Sequence, residues 1–234
     1  MIRDSLDYLR ESDDALKTVV IGGVLMAFSW LLVPLFLVMG YVVRVLRRTA
    51  AGNDDAPVFD DWEELAVTGA KAFVIQFAYG LVPAVLAAAF VFFGVLGAAS
   101  GTDSGAALGG VVAVVGLLVA FVLGGVAAYL TPAAIANFAE KGTLGAGFAV
   151  GELRPVWTSG VYAKAWLTGV AVVVGAGVVG GIVGVVPVLG QILVAFVTFY
   201  ALVAAYYIVG HAWGDLSGIE LRGDDESPEE RPAV

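Results

Sequence analysis

The chain has 234 residues, of which 60% are hydrophobic and only 14% charged, with a net charge of −9 and a mean hydropathy of +0.92. A soluble domain carries about 25% charged residues, so the chain has too little charge to cover a water-facing surface. It has no cysteine and one histidine, His211, which excludes disulfides, thiolate chemistry and a His–His metal motif; the acidic balance argues against a nucleic-acid partner.

The N-terminal segment places Ile2, Leu6, Leu9 and Leu16 on one helical face, with Asp and Arg opposite. This predicts a helix lying at the membrane surface. Asp4, Asp7, Glu11, Asp13 and Asp14 precede the first apolar stretch, so no cleavable signal is expected. The stretch 18–43 is long for one span and short for two, with Pro34 near its middle. It reads either as a short hairpin or as one kinked span. A second surface segment runs through Phe59, Trp62, Leu65 and Ala66, with Asp61 and Glu64 as its start signal. Spans are expected at 72–99 and 108–138. A third surface segment holds Leu144, Phe148 and Leu153, ending near Pro155 and Trp157, and spans at 165–184 and 188–212 follow. The expected architecture is all-α: one helical membrane domain over 1–213, with five to six membrane helices in hairpins and amphipathic helices on the cytoplasmic face. An acidic, disordered tail is expected over 214–234.

Lys17, Lys71 and Lys164 each stand where a surface segment enters an apolar block, as snorkelling lysines do. Trp62, Trp157, Trp166 and Trp213 fit the aromatic belt of a membrane interface, and His211 reads as an interface residue beside Trp213. Lysine and arginine favour the cytoplasmic side. A hairpin over 18–43 puts all 12 of them inside; a single crossing leaves Arg3, Arg10 and Lys17 outside. The expected topology therefore has both termini in the cytoplasm and the links near Asp103 and Pro187 outside.

Gly116, Ala120, Gly124 and Ala128 repeat every four residues, and Gly177 with Gly181 and Gly180 with Gly184 form two overlapping G-x-x-x-G pairs. Small residues on one stripe let helix backbones approach closely in lipid, within one chain or between copies in a homo-oligomer. Asp54, Asp55, Asp60 and Asp61 form an acidic group that reads as solvated charge and a helix start rather than a cation site. The later spans carry Gln76, Thr131, Asn137, Gln191 and Thr198 but no ionisable group at mid-membrane such as ion-coupled transport needs. No nucleophile elbow, P-loop or zinc-protease motif is present.

Several stretches resemble an uncharacterised family of haloarchaeal membrane proteins, domain of unknown function 4013. They are Arg10 to Lys17, Pro34 to Arg48, Phe59 to Leu65, Thr131 to Phe138 and Pro187 to Tyr200. The resemblance covers the chain up to about Trp213. It implies a multi-span helical fold and a salt-loving source, which the excess of arginine over lysine also fits, and it implies no activity. The leading expectation is a membrane protein without catalysis or cofactor. It would organise lipid, or bind a protein partner, through its cytoplasmic face. The alternative is a transporter or channel for a small neutral solute, and an enzyme ranks last.

Overall fold

The computed structural model describes residues 2–10 and 14–225, with side chains as far as Leu216. The described residues form eight α-helices and one 3-10 turn, with no strand. In order these are α1 (Ile2–Asp7), α2 (Ala15–Ala27), α3 (Leu32–Ala50), α4 (Trp62–Ala98) and α5 (Asp103–Lys141). The 3-10 turn Leu144–Phe148, α6 (Val150–Trp157), α7 (Gly160–Val183) and α8 (Leu189–Asp225) complete the chain. The helix α8 continues past Gly214, where the sequence places the start of a tail; residues 226–234 lie outside the described residues.

The first apolar block divides into α2 and α3. The break falls at Phe28–Leu31, short of Pro34, where the sequence placed it. Pro34 is the third residue of α3. The first-turn amides of a helix have no partner within it, so a proline there forfeits nothing. Gly22 abuts the Phe199 ring, and Tyr41 lies 5.6 Å from the same ring. A continuous helix would hold those two residues about 28 Å apart, so the chain folds back between α2 and α3.

Two glycines stop helices. Gly52, at φ 74°, ends α3, with Asn53 N–H donating to the Arg48 carbonyl and Gly52 N–H to that of Thr49. This is a Schellman motif. Gly142, at φ 70°, ends α5 by donating to the Phe138 carbonyl at 2.8 Å.

The chain separates into two compact units. The larger comprises residues 1–73 and 133–234, and the smaller residues 74–132; the boundaries fall inside α4 and α5. In the larger unit α1, α2, α3 and α7 all pack on α8. Tyr41, Phe199, Val203, Ile208, Leu65 and Leu9 are core residues there. This burial overrides the expected surface faces: Leu9, Leu65 and Leu153 are buried, whereas Leu16 is 79% exposed. Backbones also meet closely. A Cβ on Gly40 would stand 2.0 Å from the Leu65 carbonyl oxygen, and one on Gly69 would stand 1.7 Å from that of Phe36.

The smaller unit is a hairpin of the second part of α4 and the first part of α5. A Cβ on Gly109 would lie 2.4 Å from the Gly94 carbonyl oxygen, and one on Gly116 would lie 2.0 Å from Phe90. The turn is closed by Thr102, whose hydroxyl accepts from Gly105 N–H at 3.0 Å.

Candidate functional site

The charged residues of the larger unit gather where α3 ends, α4 begins, α5 ends and α8 leaves the core. Arg44, Arg47 and Arg48 lie in the last two turns of α3. They stand near the negative end of its dipole. The Arg44 side chain is only 14% exposed. It meets the Asp60 carboxylate, the Glu64 carboxylate at 3.2 Å and the Val58 carbonyl at 3.2 Å. Arg47 donates from Nε to the Ala139 carbonyl at 3.0 Å, tying the end of α3 to α5, and pairs with Glu64 at 3.6 Å. Arg48 donates to the Asp55 carbonyl at 3.4 Å.

These contacts fold the α3–α4 connection against the helices. Buried hydroxyls add to them. Tyr41 donates to the Pro57 carbonyl at 2.9 Å, and Tyr8 to the Asp55 carbonyl at 3.4 Å. Burial pushes the Tyr8 hydroxyl above its ordinary titration range, so it stays a donor. Tyr41 stacks on Phe59 at 4.4 Å. His211 lies 4.3 Å from the Tyr207 ring, with Nδ1 3.2 Å from the Tyr207 carbonyl and Nε2 3.1 Å from the Asp54 carboxylate. The histidine is therefore a tether for the connection.

The α5–α6 connection is fixed in the same way. Lys141 Nζ stands 2.6 Å from Glu152, and Asn137 donates to the same carboxylate and to the Ala146 carbonyl, both at 2.9 Å. The Lys141 and Asn137 contacts hold the Glu152 carboxyl below its usual range. Trp213 donates its indole N–H to Glu140 at 2.7 Å. A cavity of about 260 Å³ opens beside this pair, between alanines of α3 and α5 and the Arg47 side chain.

Several residues singled out in the sequence take other roles. Trp213 is buried at 6% exposure, its indole closing the space between α5 and α8. Trp62 is half-exposed and stacks on Phe59, Trp157 and Trp166 are partly buried, and Lys17, Lys71 and Lys164 are exposed. Gly116 meets Phe90, Ala120 is buried, and Gly180 and Gly184 face Val194 of α8. Gly124, Gly177 and Gly181 have open space where a side chain would stand, and Ala128 is exposed. The seams at Gly22, Gly23, Gly40 and Gly69 were missed. So were Gly210 and Gly214, which abut Thr49 and Ala50; their G-x-x-x-G spacing carried the signal. Among the described residues no three of His, Cys, Asp and Glu converge as a metal site; Asp54 and Asp60 turn to His211 and Arg44 instead.

The class so defined is an all-α protein with four helices, among the described residues, long and apolar enough to cross a membrane. The chain belongs to the family described as protein of unknown function DUF4013, whose model matches residues 27–186. No curated protein and no solved structure matches it.

Proposed function

We propose that the protein is a multi-pass integral membrane protein without catalytic activity that organises lipid or a protein partner at its cytoplasmic face. The carrying observation is the ordering of the α3–α4 connection. Arg44, Arg48, Tyr8, Tyr41 and His211 each hold one part of it. Solvated linkers do not need such anchoring, because ordering a residue costs about 1–2 kcal/mol of backbone entropy. A fixed surface of alternating carboxylates and guanidiniums suits recognition of a partner. The membrane-length helices support the non-transporting half of the proposal. Residues 165–206 and 72–99 carry no Asp, Glu, Lys or Arg, and ion coupling uses such groups.

In this reading both termini, the 44–71 connection and the 141–164 connection are cytoplasmic, and the links near Asp103 and Pro187 are external. That arrangement keeps all 12 basic residues inside. The low lysine content and the acidic exterior belong to a salt-rich cytoplasm.

A photo-crosslinking amino acid at Asn53, beside Asp54, tests the partner half. A discrete adduct in intact cells is expected, and it should vanish when Arg44→Gln releases the connection. Swelling of proteoliposomes in glycerol or urea tests the other half. The expected rate equals that of empty vesicles; a solute-selective acceleration would replace this proposal with a channel for neutral solutes.

A further inference from the structure

One end of the larger unit carries no charge. Tyr8 packs on Tyr207 of α8 at 4.5 Å and Gly23 of α2 meets Phe196, so the chain from α1 into α2 runs antiparallel to α8. Gly169 of α7 lies opposite Ala205 of α8 and Gly180 opposite Val194, so α7 does the same. The ends of α2 and α7 therefore both lie toward the start of α8, away from His211 and the Asp54 that it holds. Residues 18–43 and 165–210, which include both turns at this end, contain no charged side chain.

The two turns turn apolar side chains outward. Val185 and Val188 of the α7–α8 turn and Trp30 of the α2–α3 turn are 79%, 71% and 76% exposed. Val188 stands at φ 65°. A left-handed backbone disfavours a β-branched residue, and turns in water place glycine, asparagine or aspartate there. The α4–α5 turn follows that rule: Gly101 stands at φ 70° between Ser100 and Thr102, with Asp103 next. Valine at such a position suits hydrocarbon, where an asparagine amide would be left without partners. Backbone in lipid must also bond within itself. Val186 N–H donates to the Val183 carbonyl at 3.2 Å and Gly190 N–H to that of Val186 at 2.8 Å. In the other turn Ser29 N–H donates to the Met26 carbonyl at 3.1 Å and Leu31 N–H to that of Phe28 at 2.9 Å.

We infer that this end of the larger unit lies beneath the lipid headgroups, with both turns covered by acyl chains, whereas the α4–α5 turn stands in water. Length agrees with the assignment. From Lys164 to Val183 the helix rises about 28 Å, and from Lys71 to Ala98 about 40 Å. A hydrocarbon core about 30 Å thick takes in the first and lets the second emerge. The link near Pro187 is thus on the external side but submerged, and the protein meets external water at the Asp103 turn. The assignment deepens the topology proposed above and rests on the chain being embedded in a bilayer.

Nitroxide labels on the full chain in phosphatidylglycerol vesicles test it, since no native cysteine competes for the label. Val186→Cys, Leu32→Cys and Ser104→Cys each place one label at or beside a turn, and all three side chains are exposed. The readout is collision with oxygen, which concentrates in hydrocarbon, divided by collision with a water-soluble nickel chelate. The ratio at Val186 and at Leu32 is expected to exceed that at Ser104 at least tenfold. A ratio at either site no higher than at Ser104, in protein that resists extraction by alkaline carbonate, overturns the inference and leaves the bilayer reading standing. A label at Val186 that meets neither collider and is broadened by a second label would assign this end to another copy of the chain, and also overturns it. Failure of the underlying reading looks different: wild-type protein that alkaline carbonate releases was never embedded, and the inference falls with it.

Discussion

The two units solve one packing problem in different ways. The larger unit buries tyrosine, phenylalanine and tryptophan around α8 and ties its connections with arginine, histidine and lysine contacts. The smaller unit carries a single charged residue, Asp103, and closes on glycine. In water, apolar burial alone would favour both. In lipid the hydrophobic effect no longer separates helix from surroundings, and close backbone approach takes its place. Close backbone approach at glycine serves both units, at Gly40 and Gly69 in the larger and Gly109 in the smaller, and the larger adds charged and aromatic ties to it.

The sharpest test uses equivalent insults. All five tryptophans lie outside residues 74–132, so tryptophan emission reports the larger unit alone. Gly69→Val forces a side chain onto the Phe36 backbone and should cost more than about 3 kcal/mol, the upper end of ordinary overpacking. The tryptophan-detected melting point in detergent should fall accordingly. Gly109→Val meets the Gly94 backbone in the same way, yet should leave that transition in place while lowering the helical signal. Equal shifts in the tryptophan transition would show that the units unfold as one.

A smaller effect comes from Glu152. Its carboxyl titrates below the ordinary 4.5 in the folded chain, chiefly because of its Lys141 and Asn137 contacts. Its contribution is present in full above that ordinary value and is lost as pH falls through the lowered one. Glu152→Gln should therefore melt earlier than wild type at pH 7, with the gap closing as pH drops below 4.5. A gap that does not narrow at all as pH falls below 4.5 would assign the effect to something other than the carboxylate.

The smallest expected effect is Gly124→Leu, within about 0.5 kcal/mol of wild type by thermal melting, because nothing stands within 4 Å of the added Cβ. Destabilisation as large as at a packed glycine would mean that a further helix occupies that side of α5.

The helices were legible in the sequence because charge-free length is a strong signal. So was the family, through the Pro34 to Arg48 and Phe59 to Leu65 stretches. The break at Phe28–Leu31 was not, because Pro34 drew attention to itself, and a proline fits the start of a helix as well as it breaks one. The charged end was half legible. The arginines of α3 and the acids of the connection were visible as groups, but their pairing joins Arg47 to Ala139 and Trp213 to Glu140, across many residues of chain. Of the spaced glycines, Gly116, Gly180 and Gly184 meet neighbours and Gly124 has open space beside it, since periodicity marks a face without saying whether anything covers it.

The place of α8 in the chain has a consequence for how the protein is made. The helices α1, α2 and α3 all close on it, and Phe199 sits between Gly22 of α2 and Tyr41 of α3. Yet α8 leaves the ribosome after all three of them. The first three emerge without the surface they are shaped for and wait through the synthesis of everything between. Contacts of such long sequence separation form slowly, so α1, α2 and α3 stay open to other partners until α8 arrives to claim them.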